Sequence, residues 1–314
     1  MITRRSASKI TWIAVQNPTQ EDIEKVKEEF LLPFDVYDDL ATPTLRPGAK
    51  IYEKCMYIVQ HFPQMRDTDA ANHAKKDKNS EVIRKHEIDF ILGENWIISV
   101  SYTNVNNIVD LNKIFDDTTD QSTYHNIDVG RLYIQIIKSI YKKCDGKIDE
   151  IDSSLDLVEK NIYSGKERNM VSVLSQKMRD LIDLEHSFSM HENIILDAAN
   201  FGQKLYGSNF TRGMNNLHST YSEVTSRIKF LKDAFREFQN TNDSLLQHKT
   251  ADAMKTLTMM SFVIFPLSLM AGIFGMNVQN MPIVGADYDF EIIILMMIVM
   301  SIIFFTYFKW KKWL

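Results

Sequence analysis

Two long apolar segments near the C-terminal end contrast with a polar and densely charged remainder of the chain. Residues 256–276 and 292–308 contain no charged residue, whereas charges are frequent throughout 1–255. A helix rises about 1.5 Å per residue, so the 21 residues of the first segment cross the roughly 30 Å hydrocarbon core of a bilayer. We therefore predict two transmembrane helices. Two buried helices of a soluble protein are the alternative, and the apolar residues on every face of both segments argue against it.

The pattern before residue 126 predicts a mixed α/β part. Strands are indicated where aliphatic and aromatic residues cluster, in KITWIAV, AKIYEKCMYIVQHF and EVIRKHEIDFILGENWIISVSY. A helix is indicated after Thr19, because Asp22 follows three residues later in the looser form of the capping box.

From about residue 126 onwards, apolar residues recur with helical spacing. Within 145–162 the apolar residues and the acids occupy separate faces at intervals of three and four, which predicts an amphipathic helix. Its acidic stripe consists of Asp145, Asp149, Asp152, Asp156 and Glu159. A break at residues 163–165 precedes a second predicted helix, about 168–200. Gly202, Gly207 and Gly213 are expected to punctuate the turn that follows it.

Residues 214–265 contain neither Gly nor Pro and lead directly into the first apolar segment. The simplest interpretation is one continuous helix of about 78 Å, soluble at its start and transmembrane at its end. A helix of this length needs packing partners in water, and other copies of the chain are the natural candidates.

One face of this predicted helix carries small, polar and flexible apolar residues. Counting back from Asn277, nearly all of them lie at intervals of three or four, so they share a face. The stripe consists of Ser268, Phe265, Ser261, Leu257, Met254, Ala251, Gln247, Ser244 and Asn240. Two interpretations remain open. Small residues commonly mediate packing between transmembrane helices, and the same stripe is suited to lining a pore.

Composition and motifs exclude several classes of function. The formal net charge is −5, which does not indicate a nucleic-acid partner. The two cysteines are far apart and fit a reducing compartment. The sequence contains no Walker A, GxGxxG or HExxH motif, and its histidines lack metal-ligand spacing. We therefore expect neither an enzyme nor an organic cofactor.

The distribution of Lys and Arg predicts the orientation in the membrane. The connection 277–290 has neither residue and carries Asp287 and Asp289, whereas Lys309, Lys311 and Lys312 follow the second apolar segment. Because positive residues favour the cytoplasmic side, both termini are expected there, with a short acidic loop outside. The protein is thus predicted to be integral to the cell (inner) membrane.

The segment MKTLTMMSFVIFPLSLMAGIFGMNVQNMP is similar to the first membrane helix and signature of the CorA magnesium-channel family. The mid-span Pro266, the ending FKWKKWL and the long unbroken helix fit the same resemblance. It implies an α+β fold: an N-terminal α/β cytoplasmic domain, and a long stalk helix continuous with the first of two C-terminal transmembrane helices. It also implies that the chain forms a funnel-shaped homopentamer embedded in membrane lipid.

The resemblance implies a domain organisation and a set of site residues. The expected parts are an α/β domain (1–125), antiparallel cytoplasmic helices (126–212), the stalk and pore helix (213–276), an external loop (277–290), a second membrane helix (291–308) and a basic tail (309–314). The expected selectivity filter is Gly275, Met276 and Asn277. The expected pore lining is Ser268, Phe265, Ser261, Leu257, Met254, Gln247 and Asn240.

The implied function is a divalent-cation channel for Mg²⁺, with Co²⁺ and Ni²⁺ as further candidates. Mg²⁺ holds its water shell tightly, and neutral amide oxygens accept hydrogen bonds from those waters without removing them. The resemblance also implies gating by intracellular Mg²⁺, for which the stripe Asp145–Glu159 is the candidate surface; a plain solvated face is the alternative.

The sequence departs from the family pattern in places. Ile283 and Gln279 stand at positions where family members commonly have an acid. Asn240 stands where some members have a ring of Asp residues, and Phe265 stands where a Met can occur. Two other functions stay open: a zinc transporter of the ZntB branch, which usually has Ile at the position of Met276, and a non-conducting scaffold or cation sensor.

Overall fold

The computed structural model describes residues 2–7, 10–40, 43–44, 46–63, 85–102, 115, 128–277, 283–285 and 288–311. The strands are β1 (Ile2–Ala7), β2 (Ile10–Gln16), β3 (Gly48–Ile51), β4 (Met56–Pro63), β5 (Lys85–Leu92) and β6 (Trp96–Ser101). The helices are α1 (Gln20–Phe30), α2 (Phe34–Leu40), α3 (Val129–Tyr163), α4 (Glu167–Phe188), α5 (His191–Phe274) and α6 (Asp289–Trp310).

The strands form one sheet in the order β1-β2-β6-β5-β4-β3. Strands β2 and β6 run parallel, and the other neighbours run antiparallel. The predicted strand segments are confirmed, with the two longer ones each folding into two antiparallel strands. The capping box is also confirmed: Thr19 Oγ1 accepts from Asp22 N, and Asp22 Oδ2 accepts from Thr19 N, both at 3.2 Å.

Apolar side chains cover both faces of the central strands. On one face, α1 and α2 contribute Ile23, Val26 and Val36 to a core with the strands. On the other, Tyr133 of α3 packs against Phe90 with ring centroids 5.3 Å apart and donates to Gln60 Oε1 at 2.9 Å. A sheet covered on both faces explains why β4 is buried along its whole length instead of alternating.

The helices confirm the break at residues 163–165, and α3 ends at Tyr163. The predicted helix 168–200 is wrong at its C-terminal end, because α4 stops at Phe188 and α5 begins at His191. Here the Tyr221 hydroxyl donates to the carbonyl of Phe188 at 3.2 Å, and His191 Nε2 lies 2.8 Å from the carbonyl of His61 on β4. Tertiary packing therefore ends this helix without a Gly or Pro.

The expectation for the three glycines is correct for only one of them. Gly207 has a φ of 77° and kinks α5, whereas Gly202 and Gly213 lie within helix. A Cβ atom at Gly202 would lie 2.2 Å from the Phe210 ring, and one at Gly130 of α3 would lie 2.4 Å from the same ring. Gly202 therefore provides space for a close contact.

The predicted continuous helix is confirmed, since α5 runs without a further break from the kink to Phe274 and includes Pro266. The chain divides into two compact units, Met1–Ser164 with Asn169–Phe238, and Gly165–Arg168 with Gln239–Leu314. Among the described residues, two helices are long and apolar enough to cross a membrane, α5 through its C-terminal part and α6, with mean hydropathies of 2.0 and 2.4 over their most apolar windows. The domain boundaries inferred from the sequence remain predictions.

Candidate ion-conduction helix and its outer end

The predicted pore-lining stripe lies on a face of α5 that the single chain leaves uncovered. Phe265 is 72% exposed, and Met254 and Leu257 are each 61% exposed. The remaining members are exposed as well: Ser268, Ser261, Ala251, Gln247, Ser244 and Asn240. Every member of a stripe chosen by spacing alone thus falls on one open face.

The opposite side of the same helix is the one that packs. Its least exposed positions follow the same spacing but lie about 150° around the helix from the stripe. They are Met259, Val263, Pro266, Leu267, Met270 and Phe274. A matching row of the least exposed positions on α6 consists of the buried Phe308 and the half-buried Ile293, Met296, Met297, Met300, Ser301 and Phe304. Both helices belong to one compact unit, and we infer from the burial pattern that they pack on these rows, which leaves the stripe exposed within the chain.

Hydroxyl groups in this region satisfy their donors within the helix. Ser261 Oγ donates to the carbonyl of Leu257 at 3.0 Å, and Thr258 Oγ1 donates to that of Met254 at 2.8 Å. A hydroxyl that donates in this way keeps its lone pairs as acceptors. On the exposed stripe, Ser261 therefore offers an acceptor to water bound around a cation.

The predicted filter residues follow directly on the end of α5. Gly275 N donates to the Ala271 carbonyl at 2.9 Å, and Met276 N donates to the Ile273 carbonyl at 3.2 Å. A Cβ atom at Gly275 would lie 2.9 Å from the Ala271 oxygen, closer than side chains tolerate. The glycine therefore lets the chain turn tightly off the helix, and it leaves Met276 and Asn277 exposed beyond it.

Of the two predicted loop acids, Asp289 has a local structural role and Asp287 lies outside the described residues. Asp289 Oδ2 accepts from Gly285 N at 3.0 Å, and Oδ1 accepts from Phe290 N at 2.7 Å. Gly285 has a φ of 98°, which favours glycine. The Asp289 carboxylate thus orders the turn that begins α6. Gln279, like Asp287, lies outside the described residues.

The acidic stripe on α3 is partly neutralised within the chain. Arg227 of α5 forms ion pairs with Asp145 and Asp149, the second at 2.5 Å between Nη2 and Oδ1. Asp152, Asp156 and Glu159 are exposed. Across the part of the chain that the structure describes, no group of three His, Cys, Asp or Glu side chains is arranged to hold a metal ion. Any cation bound to this stripe would therefore need ligands from elsewhere.

Two polar features near the start of the apolar segment were not predicted. Lys249 Nζ donates to Glu167 Oε2 at 2.7 Å, and this hydrogen bond lowers the pKa of Glu167. Asn242 is fully buried, and neither of its side-chain amide atoms has a hydrogen-bond partner within the described part of the chain. Asn242 lies seven residues before Lys249, on the same face of α5. In the sequence, an isolated Asn in a polar helix gives no signal of burial.

Comparison with known proteins assigns the chain to one family. A family described as CorA-like Mg²⁺ transporter protein matches residues 7–311. The cobalt/magnesium transport protein CorA of Thermotoga maritima is 21% identical over 318 aligned positions, covering 99% of this chain and 85% of that protein.

Solved structures agree on the fold. The complete structure of the CorA magnesium transporter from Methanocaldococcus jannaschii superposes with a TM-score of 0.79 at 15% identity, covering 98% of this chain and 92% of that one. The cytoplasmic domain of ZntB from Vibrio parahaemolyticus superposes with a TM-score of 0.59 at 15% identity, covering 76% of this chain and 88% of the other. At these identities the likeness concerns the fold alone.

Proposed function

This chain belongs to the CorA-like Mg²⁺ transporter family, and on that premise we propose that it conducts Mg²⁺ across a membrane through a pore lined by α5. The observation that carries the proposal is the uncovered stripe of polar and flexible apolar residues, which runs through the apolar segment of α5 towards Asn277 just beyond its end. A homopentamer, as the family resemblance implies, would bring five copies of this stripe around one axis.

The chemistry of the stripe suits a hydrated cation. Mg²⁺ gives up its water shell reluctantly, so a pore that passes it works best by hydrogen-bonding those waters. Asn277 at the outer end and the hydroxyls of Ser268 and Ser261 below it offer neutral oxygen acceptors. Met254 and Leu257 form an apolar constriction further along, which would close by losing its water.

The permeant ion is proposed to be Mg²⁺, with Co²⁺ and Ni²⁺ accepted as well. Zinc transport is the second candidate, because the N-terminal part of the chain shares its fold with the ZntB cytoplasmic domain. Met276 favours magnesium, since the ZntB branch usually has Ile there. We propose no organic cofactor. Both termini are proposed to be cytoplasmic, in keeping with the lysines that follow α6.

Flux into liposomes tests the proposal. The full-length protein is reconstituted into vesicles that contain either a Mg²⁺-sensitive or a Zn²⁺-sensitive dye, and protein-free vesicles provide the baseline. We expect Mg²⁺ influx down an imposed gradient. Influx of zinc alone would favour the second candidate, and influx of neither ion would favour a non-conducting sensor.

Replacing Leu257 with Ser is expected to raise Mg²⁺ influx on the order of tenfold. A ring of hydroxyls keeps the constriction wet, and a barrier lowered by about 1.4 kcal/mol corresponds to a factor of ten in rate. The matched control is Ile302→Ser, since Ile302 is 59% exposed but belongs to α6 and not to the stripe. If both variants raise the flux equally, the stripe does not line the pore.

We further propose that intracellular Mg²⁺ closes the pore by binding to the acidic stripe on α3. Asp152, Asp156 and Glu159 would carry this role together with groups from a neighbouring copy, because Arg227 already pairs with Asp145 and Asp149. The triple variant Asp152→Asn, Asp156→Asn, Glu159→Gln is expected to need several-fold more Mg²⁺ inside the vesicles to reduce the flux by half. An unchanged inhibitory concentration would identify the stripe as a solvated face.

A further inference from the structure

A cluster of buried polar groups lies on the sheet in the first unit. Glu87 and Asp89 lie two positions apart on β5, so their side chains share one face. Asp89 pairs across the strands with Val59 and Val100, which belong to the core beneath α1 and α2. Asp89 is fully buried, and Glu87 is 7% exposed. Two carboxyl groups therefore lie side by side in an apolar layer.

The donors around Glu87 fit an ionised carboxylate. Thr44 donates to Glu87 Oε1 through its backbone N at 2.7 Å and through its hydroxyl at 3.2 Å. On the other oxygen, Glu87 Oε2 lies 3.0 Å from His61 Nε2, which also lies 3.2 Å from the Thr44 carbonyl. Because both neighbours of this nitrogen accept hydrogen bonds, His61 Nε2 carries a proton and donates it.

Asp89 has a different set of partners. Its Oδ2 accepts from the hydroxyls of Tyr57 at 2.9 Å and Tyr102 at 3.0 Å. Its Oδ1 is buried, and no residue that the structure describes donates a hydrogen bond to it. An ionised oxygen left in this state is costly, whereas a protonated one becomes a donor, and the neighbouring Glu87 carboxylate can accept.

Among the residues that the structure describes, no cation is directed at Asp89. Asp39 of α2 adds negative charge near Tyr57 and Tyr102, and Lys50 of β3 is bound to Asp39 at 2.5 Å. The hydrogen bond of His61 is directed at Glu87. Two adjacent buried carboxylates cannot both ionise without strong repulsion.

We propose that Glu87 and Asp89 form a binding site for one proton, carried on Asp89 Oδ1 and shared with Glu87. The site stands apart from ion conduction and does not depend on it. Burial, and then the charge of Glu87, raise the pKa of Asp89 to about 8, so the site releases its proton just above neutral pH. The N-terminal α/β part of the chain thereby contains a group that responds to physiological changes of pH.

The cluster also connects to the surface of the domain. The single hydroxyl proton of Tyr102 is shared between Asp89 Oδ2 at 3.0 Å and the carbonyl of Leu40, at the end of α2, at 3.3 Å. Thr44 and Tyr57, which bind the two carboxyl groups, also line a cleft of about 670 Å³ together with Asp38 and Arg46. When the proton is lost, the Asp89 and Glu87 carboxylates repel each other. This repulsion weakens the hydrogen bonds that connect Tyr102 to the end of α2 and Thr44 to Glu87.

Infrared spectroscopy of the full-length protein in detergent tests the proton directly. We expect a carbonyl band of a protonated carboxylic acid at pH 6 that disappears as the pH passes about 8. Asp89→Asn should lack this band. In Glu87→Gln the band should disappear at a lower pH than in the wild type, because the neighbouring negative charge is gone. The control Glu94→Gln, at an exposed position in the turn after β5, should leave the band unchanged.

Hydrogen exchange tests the connection to α2. At pH 9, the amides of α2 in the wild-type protein should exchange several-fold faster than those of Asp89→Asn, which keeps the shape of the protonated acid. At pH 6 the two proteins should be alike. A carboxyl band that titrates only below pH 5, or one that survives in Asp89→Asn, would overturn the proposal, and so would equal α2 exchange in both proteins at pH 9.

Discussion

Replacing His191 with Ala is expected to lower the free energy of unfolding of the first unit by about 3–5 kcal/mol. The His191 ring is fully buried. Its Nε2 lies 2.8 Å from the His61 carbonyl, and its Nδ1 lies 2.7 Å from the Tyr141 hydroxyl. Because a carbonyl only accepts, Nε2 carries the proton and Nδ1 accepts from Tyr141. The substitution leaves both partners unpaired and opens a cavity beside Phe62, whose ring centroid lies 5.2 Å away.

Native-state hydrogen exchange of the β4 amides in the full-length protein measures this loss. The control is His218→Ala on the same helix, where a partly exposed histidine lies 3.4 Å from Glu192. An exposed pair of this kind contributes no more than about 1 kcal/mol. Equal protection of β4 in wild type and His191→Ala would contradict the assigned hydrogen bonds.

The same residue makes stability depend on pH. Burial lowers the pKa of His191 to about 4 from the ordinary value of 6.5, so the unfolded chain binds more protons between these values. Its contribution is therefore complete above pH 6.5 and is lost as the pH falls towards 4, by roughly 3 kcal/mol in total. His191→Gln should remove this slope, and the difference from wild type isolates it from other titrating groups.

Features encoded within a few neighbouring residues could be predicted from the sequence. The capping box of Thr19 and Asp22 is local, because both hydrogen bonds join residues three apart. The unbroken helix over residues 214–265 followed from the absence of Gly and Pro in that range, and the shared face of Leu257 and Ser261 followed from helical spacing alone. In each case, the physics operates within one or two turns of the chain.

Features that depend on distant contacts could not be predicted. The end of α4 at Phe188 depends on a hydrogen bond that the Phe188 carbonyl accepts from the hydroxyl of Tyr221 on α5. The Phe210 ring, for which Gly202 leaves space, also lies against the distant Gly130 of α3. The burial of the two acids on β5 could not be predicted either. Glu87 and Asp89 alternate with Ile88, which is the pattern of a strand with one face in water. Only the covering helices make that face buried and the pair a site for chemistry.

In the candidate site too, local features could be predicted and long-range contacts could not. Spacing found the stripe and the motif at its end, and the structure adds that the stripe is uncovered and that Gly275 is needed for space rather than for a left-handed backbone. The ion pairs of Arg227 with Asp145 and Asp149 could not be predicted from the sequence, because the partners are about 80 positions apart. A stripe of acids in a sequence therefore overstates the charge that remains free.

Replacing Asn277 with Ala is expected to lower Mg²⁺ influx by more than about a hundredfold. In the proposed pore, each copy would lose an amide that hydrogen-bonds the water shell of the ion, worth about 1 kcal/mol, and the proposed pentameric ring would lose five of them. The residue is exposed beyond the end of α5, so the change leaves no buried group unpaired. Dye-loaded liposomes measure the influx, and size-exclusion chromatography with light scattering checks that the variant assembles as the wild type does.

Two further variants separate the amide from other effects. Asn277→Gln keeps the amide but moves it by one methylene, so partial flux is expected if hydrogen bonding to the hydrated ion is what matters. Asn200→Ala removes an exposed amide from the N-terminal part of α5 and should leave the flux unchanged. Undiminished Mg²⁺ influx in Asn277→Ala would show that the outer ring does not select the ion, and the constriction at Met254 and Leu257 would then be the place to look for selectivity.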